Sequence, residues 1–125
     1  MDSERPDDIL VCDRPIDSKL LCELVDRFFG DMVKLVVDVR QRLVAVGGEL
    51  HPDAEAILLA GGSQQADLWG ANYYPGLGPE DCLQFTALIN IRPAQGNRAM
   101  EVQDPKIRQA MRSIVSDLVG RGEPL

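Results

Sequence analysis

The sequence predicts an α+β domain of two layers, a mainly antiparallel sheet with helices on one face, in the order β-α-β-β-α-β-β-α. Three observations carry that expectation. Val33, Leu35, Val37 and Val39 alternate with Lys34, Val36 and Asp38, and β-branched residues dominate, which is the period of a strand. From Leu83 to Ile91 the alternation recurs, with Phe85, Ala87, Ile89 and Ile91 to one side and Gln84, Thr86, Asn90 and Arg92 to the other, as in a sheet with one wet face. Leu20 to Phe28 and Ile107 to Leu118 instead place apolar residues at helical spacing, each with one face to bury.

Taken in order, Met1 to Asp8 is acidic, interrupted by Pro6, and expected to be a loose tail. Ile9 to Cys12 is too short for a helix and reads as an edge strand closed by Asp13-Arg14-Pro15. Asp17 is placed to cap a helix over residues 18–29, with Ile16 and Leu21 as a hydrophobic staple and Gly30 to end it. Residues 32–39 form the next strand, and Leu43 to Val46 returns beside it after Arg40-Gln41. Gly47-Gly48 breaks that strand; Pro52 opens a helix whose first turn holds Asp53 and Glu55, whose buried face is Ala54, Ile57 and Leu58, and which Gly61-Gly62 stops. Ala66 to Tyr74 reads as a strand ended by Pro75, and the Pro/Gly-rich residues 75–81 as a loop. Leu83 to Ile91 is the last strand, residues 93–103 a polar loop, and Asp104-Pro105 the start of a final helix that Gly120 ends. Residues 121–125 are expected to be mobile.

At 125 residues the chain has room for one domain, 1–125, with one core. Its formal charge of −7 argues against non-specific nucleic-acid binding, which rests on a basic surface, while leaving room for a local basic patch. No apolar run has the length of a membrane span, and the N-terminus lacks the pattern of a signal peptide, so a cytoplasmic location is expected by elimination. The three cysteines, Cys12, Cys22 and Cys82, are odd in number and widely spaced, which suits reduced structural thiols.

Candidate chemistry gathers at two places. Glu49-Leu50-His51-Pro52-Asp53 sets the only histidine between carboxylates at a strand-to-helix corner, so Glu49 and His51 are the candidate acid–base pair; the competing reading is that His51 caps the helix. One histidine with scattered carboxylates is a weak ligand set, and neither a cofactor nor a tightly held transition metal is expected. The second place is Asn90-Ile91-Arg92-Pro93-Ala94-Gln95-Gly96-Asn97-Arg98, a strand end running into a loop dense in amides and guanidiniums. Asn72, Asn90, Arg92, Gln95, Asn97 and Arg98 are the candidate ligand-binding residues, the arginine forks suiting a carboxylate or a phosphate. Competing readings are that the amides tie the loop's own backbone together, and that Arg92 and Arg98 pair with Glu101 or Asp104.

Gly47-Gly48-Glu49-Leu50-His51, Leu68-Trp69-Gly70-Ala71-Asn72 and Asn90 to Arg98 together resemble a small family of uncharacterised prokaryotic proteins catalogued only as a domain of unknown function, over about Gly30 to Val119. The resemblance implies a short self-contained cytoplasmic domain and no activity. The family pattern often has glycine where this chain has Arg42 and serine where it has Ala99, so a role for the hairpin tip or a hydroxyl at 99 does not carry over. Two functions are therefore expected. One is a pocket between the 47–53 corner and the 90–98 loop for a small polar or anionic ligand. The other is a non-enzymatic interaction module that forms a homodimer or docks a partner through an open sheet face.

Overall fold

Strand and helix order follow the hydrophobic pattern closely. The computed structural model describes residues 8–125, so the tail expected over residues 1–8 falls almost wholly outside it, and Asp8 itself is ion-paired to Arg27 at 2.6 Å. The elements are β1 (Ile9–Cys12), α1 (Ser18–Phe28), β2 (Val33–Asp38), β3 (Leu43–Gly47), α2 (His51–Ala60), β4 (Leu68–Tyr73), β5 (Leu83–Gln84) and α3 (Pro105–Leu118). Both predicted N-caps form. Asp17 accepts from the Lys19 N–H at 2.7 Å and Asp104 from the Lys106 N–H at 2.8 Å, each satisfying a first-turn donor.

The five strands make one antiparallel sheet in the order β1-β3-β2-β4-β5. This is the α+β class and the element order expected, but the helices do not all share one face. Val33, Leu35 and Val37 of β2, Val44 and Val46 of β3, and Trp69, Ala71 and Tyr73 of β4 point to one side and pack with α1 and α3 around Leu21, Leu24, Met111, Ile114 and Val115. The alternate residues Val36, Ala45 and Leu68 point to the other side and pack with Ala54 and Leu58 of α2. Strand sense explains the difference. Helix α1 joins the parallel pair β1 and β2, each antiparallel to β3, whereas α2 joins the parallel pair β3 and β4, each antiparallel to β2. The two crossovers step in the same direction across the sheet from strands of opposite sense, and right-handed connections then place their helices on opposite faces. Helix α2, with Ile89 beside it, thus covers the face that the sequence pattern left bare.

The predicted strand Leu83 to Ile91 stops at Gln84. Beyond it the chain pairs with residues 100–102 instead of β4: the Ala87 N–H donates to the Met100 carbonyl at 3.1 Å and the Val102 N–H to the Phe85 carbonyl at 2.9 Å. It then turns through a 3-10 segment, Leu88–Asn90, and passes over β4. Gly70 is what permits the crossing, because a Cβ there would sit 2.5 Å from the Ala87 Cβ and 3.2 Å from the Ile89 side chain. The alternation consequently breaks: Leu88 is 69% exposed and Asn90 is 0% exposed, where the pattern put Asn90 on the wet face. Ile57, expected on the buried face of α2, is likewise exposed.

Residues 121–125, expected to be mobile, are held at Gly122. Its N–H donates to the Tyr73 hydroxyl at 2.9 Å, and its carbonyl accepts from the N–H groups of Gly76 at 2.9 Å and Gly78 at 3.0 Å. The β2–β3 hairpin is organised by Asp38, which the sequence pattern marks only as a polar strand position. Its buried carboxylate accepts from the Arg40 and Gln41 N–H groups, both at 2.9 Å, from Gln41 Nε2 at 3.0 Å and from the Ser63 hydroxyl at 2.6 Å. Burial raises its pKa, but these four donors outweigh that and hold it below the ordinary carboxylate range. The turn that follows puts Arg42 in the left-handed region at φ 58°, the position where glycine would be unstrained.

Candidate functional site

Where β5 ends, the exposed edge of β4 needs partners for its backbone groups, and the 90–98 stretch supplies them. Asn90 Oδ1 accepts from the Gly70 N–H at 2.8 Å while its Nδ2 donates to the Gly70 carbonyl at 3.0 Å, so one side-chain amide occupies the place of a strand residue. The same Nδ2 donates to the Met100 carbonyl at 3.0 Å. Arg92 continues along the edge, donating to the carbonyls of Leu68, Gln65 and Ile89, with its guanidinium carbon 4.1 Å from the centre of the Trp69 ring. Burial lowers its pKa, opposed by the charge of nearby Glu55. Gln95 accepts from Arg92 at 3.1 Å and donates to the Ala66 carbonyl at 3.1 Å.

Asn97 closes the loop. Its Nδ2 is shared among the carbonyls of Asn90, Ala99 and Glu101 at 2.8–2.9 Å, and its Oδ1 accepts from the Gln103 N–H at 2.9 Å. The turn beneath it runs through Gly96 at φ 81° and is pinned by reciprocal backbone bonds between Arg92 and Asn97. The side chains of Asn90, Arg92, Gln95 and Asn97 are therefore joined into one network by the protein's own backbone. Neither Arg92 nor Arg98 pairs with Glu101 or Asp104. Glu101 lies 3.7 Å from Arg108, Asp104 caps α3, and the exposed Arg98 is fixed only through its backbone N–H, 3.3 Å from Gln103 Oε1.

The 47–53 corner meets β4 elsewhere. His51 is the first residue of α2 rather than its cap: the N-cap is Leu50, and the imidazole turns inward, Nε2 lying 2.8 Å from the Ala71 carbonyl. A carbonyl only accepts, so Nε2 carries the proton and the neutral ring keeps its lone pair on Nδ1. Burial, the largest influence, lowers the pKa below the ordinary histidine value; the charge of Lys34 adds to this, while the Ala71 carbonyl and the Asn72 side chain oppose it. Glu49 stays exposed and forms neither a hydrogen bond nor an ion pair with His51. No contact links His51 to Arg92, which anchors to β4 at Leu68 while His51 anchors at Ala71.

What the structure does bring together is His51 and Asn72. Asn72 faces Lys34 of β2 on one side and Gln84 of β5 on the other, so Lys34, Asn72 and Gln84 form a polar row across three strands. Asn72 Nδ2 donates to Gln84 Oε1 at 2.8 Å, and the Tyr74 hydroxyl reaches the same oxygen at 3.5 Å. Asn72 Oδ1, by contrast, is buried and makes no hydrogen bond of ordinary length, although the Asn72 side chain lies close enough to the imidazole to raise its pKa as a hydrogen-bonding neighbour does. Gln84 and Tyr74 also line an open cleft of about 470 Å³ whose other walls include Glu80, Phe85, Arg108 and Arg112. Gln84 was missed as a site residue because only the strand order sets it opposite Asn72; its polarity alone marks a solvent-facing strand position.

Among the described residues, three or more of His, Cys, Asp and Glu nowhere gather as a metal-holding group, and no helix is long and apolar enough to cross a membrane. The architecture is thus an antiparallel sheet whose edge is finished by side-chain amides, with two buried acceptors unpaired among the described residues, Glu55 Oε2 and, beside a buried histidine, Asn72 Oδ1. The chain belongs to the family described as protein of unknown function (DUF5674), whose model matches residues 10–118, a span that begins well before the Gly30 expected from the motifs. Neither the curated proteins nor the solved structures contain a match.

Proposed function

We propose that this domain binds a small polar molecule at the row Lys34, Asn72 and Gln84, against His51. One observation carries the reading: the buried Oδ1 of Asn72 has no donor. A buried acceptor left unpaired costs about 1–3 kcal/mol, and a ligand N–H or O–H would recover that on binding. The ligand is accordingly a hydrogen-bond donor, with Lys34 suited to an anionic group beside the donor. His51, neutral and committed through Nε2 to Ala71, offers only Nδ1, so its role toward such a ligand is that of an acceptor or base. The alternative, a homodimer or a partner docked on the open sheet face, keeps a smaller surface, because α2 packs over Val36, Ala45 and Leu68 of that face.

Native mass spectrometry of freshly purified protein, compared with its denatured mass, would show any retained molecule. Thermal-shift screening of polar and anionic metabolites bearing N–H or O–H donors would then find ligands that bind weakly. A ligand of this site stabilises the wild type and not Asn72→Ala. A ligand set that stabilises both proteins equally would remove Asn72 from recognition, and with it the proposal.

A further inference from the structure

We infer that the groove between the second half of α3 and residues 79–83 is a separate site for a small phosphate-bearing molecule. The pattern begins in the sequence of the helix. Gln109, Arg112, Ser113 and Ser116 recur at i, i+3, i+4 and i+7, a polar stripe adjoining the buried one of Met111, Ile114, Val115 and Leu118. A stripe of this kind usually faces bulk water. Here it faces a cleft of about 340 Å³ whose lining also includes Cys82, Leu83, Val115, Asp117 and Arg121.

Both arginines are held in place by groups that do not neutralise them. Arg112 donates from one Nη to the Pro79 carbonyl at 3.0 Å, and its guanidinium carbon lies 5.3 Å from the centre of the Phe85 ring. Arg121 donates from Nε to the Ser116 hydroxyl oxygen at 2.8 Å. Among the described residues neither has a carboxylate at ion-pair distance. Of the acids nearby, Asp117 lines the cleft but pairs with Arg42 at 2.7 Å, and Glu123, whose Oε1 accepts from the Arg121 backbone N–H at 2.9 Å, feels the Arg121 charge without forming an ion pair with its guanidinium. A chain of net charge −7 thus keeps two guanidiniums outside any ion pair around one cavity among the described residues.

The donor chemistry selects the ligand. Two guanidinium edges, the hydroxyls of Ser113 and Ser116 and the amide of Gln109 are more donors than one carboxylate readily uses, and they suit the oxygens of a phosphate. Ser116 can donate its O–H to the anion while its oxygen accepts from Arg121. The C-terminal end of α3 presents carbonyl dipoles that disfavour an anion, so the site depends on both arginines. Its walls meet the cleft beside Gln84 at Leu83 and Arg112, yet nothing in this assignment requires Asn72 or His51.

The test is an NMR titration of the 15N-labelled full chain with inorganic phosphate at constant ionic strength, with chloride and citrate as parallel arms. Phosphate is expected to give saturable shifts at the amides of Gln109, Ser113, Ser116 and Arg121. Arg121→Gln removes one side-chain hydrogen bond at an exposed residue, leaves the fold intact, and should weaken phosphate at least about tenfold; Arg112→Gln should do the same. Shifts confined to these residues and unchanged in Asn72→Ala would separate this site from the one at His51. Non-saturable or chloride-matched shifts, or unchanged affinity in Arg121→Gln, would overturn the assignment. Tighter binding of citrate than of phosphate would overturn the choice of ligand.

Discussion

Asn72, within β4, and Asn90, docked on the edge of β4 at Gly70, meet opposite fates. Asn90 is fully buried, and both ends of its amide are matched to Gly70, with Met100 as an additional acceptor. Asn72 is matched at one end only, donating to Gln84 while its oxygen is buried without a donor. Both are asparagines in strand-like sequence, where the residue is depleted, so the anomaly in the sequence is the same. The difference teaches that an out-of-place amide marks a local need, and that only the hydrogen-bond inventory shows whether the protein itself meets it. Asn90 completes a sheet edge; Asn72 leaves an acceptor to be completed.

The largest expected effect breaks the saturated side of this pair. Asn90→Ala leaves the Gly70 N–H and carbonyl without their partner and the Met100 carbonyl with the Ala87 N–H alone, in a site closed to water. With each buried polar group left unpaired costing about 1–3 kcal/mol, the variant should lose about 3 kcal/mol or more in urea denaturation. Asn90→Asp keeps the acceptor for the Gly70 N–H but sets a carboxylate against two carbonyls, and should be no better. An Asn90→Ala protein as stable as wild type would mean that the edge of β4 is satisfied by other groups, and the contrast with Asn72 would collapse.

A smaller effect sharpens the comparison on the His51 side. His51 has a folded-state pKa below its unfolded value of about 6.5, so the unfolded chain takes up the proton first as pH falls. Its contribution is therefore complete above about pH 6.5 and declines on acidification from there toward the folded pKa. It is the only histidine in the chain, which keeps the window between about pH 6.5 and 5 nearly free of other side-chain titrations. The urea midpoint of the wild type should fall across that window, and that of His51→Gln, which can still donate to Ala71, should stay flatter. Parallel slopes in the two proteins would show that the imidazole is not held neutral by burial.

How far the sequence revealed this depends on whether a feature is local. The caps at Asp17 and Asp104, the helices and β2 were legible because capping and periodicity act within a few residues of the chain. The second helical layer was not, since the face of α2 follows from strand order and crossover sense. Leu83 to Ile91 misled because alternation reports burial on two sides, and a segment crossing over Gly70 can alternate without pairing beside β4. At the candidate site, Asn72 and Asn90 stand out in the sequence as asparagines in strand-like surroundings. Their partners Gln84, Gly70 and Met100 lie 10–20 residues away, and no spacing rule connects them. Asp38 was overlooked for the related reason that a charged residue in alternation looks solvent-facing until Ser63 folds against it.

The smallest expected effect on stability is also the most discriminating. Asn72→Ala removes one exposed hydrogen bond to Gln84 but also removes the unpaired buried oxygen, and the two contributions oppose each other. The net change in unfolding free energy should lie within about 0.5 kcal/mol, in either direction. Because Asn90→Ala should cost several times more, the two variants separate a side chain held by the fold from one held in reserve. If Asn72→Ala instead unfolds as readily as Asn90→Ala, then Asn72 is structural, its oxygen has a partner in solution, and the recognition proposed at β4 has no residue left to begin from. If it is as stable as wild type and blind to the ligand, the vacant acceptor is the site.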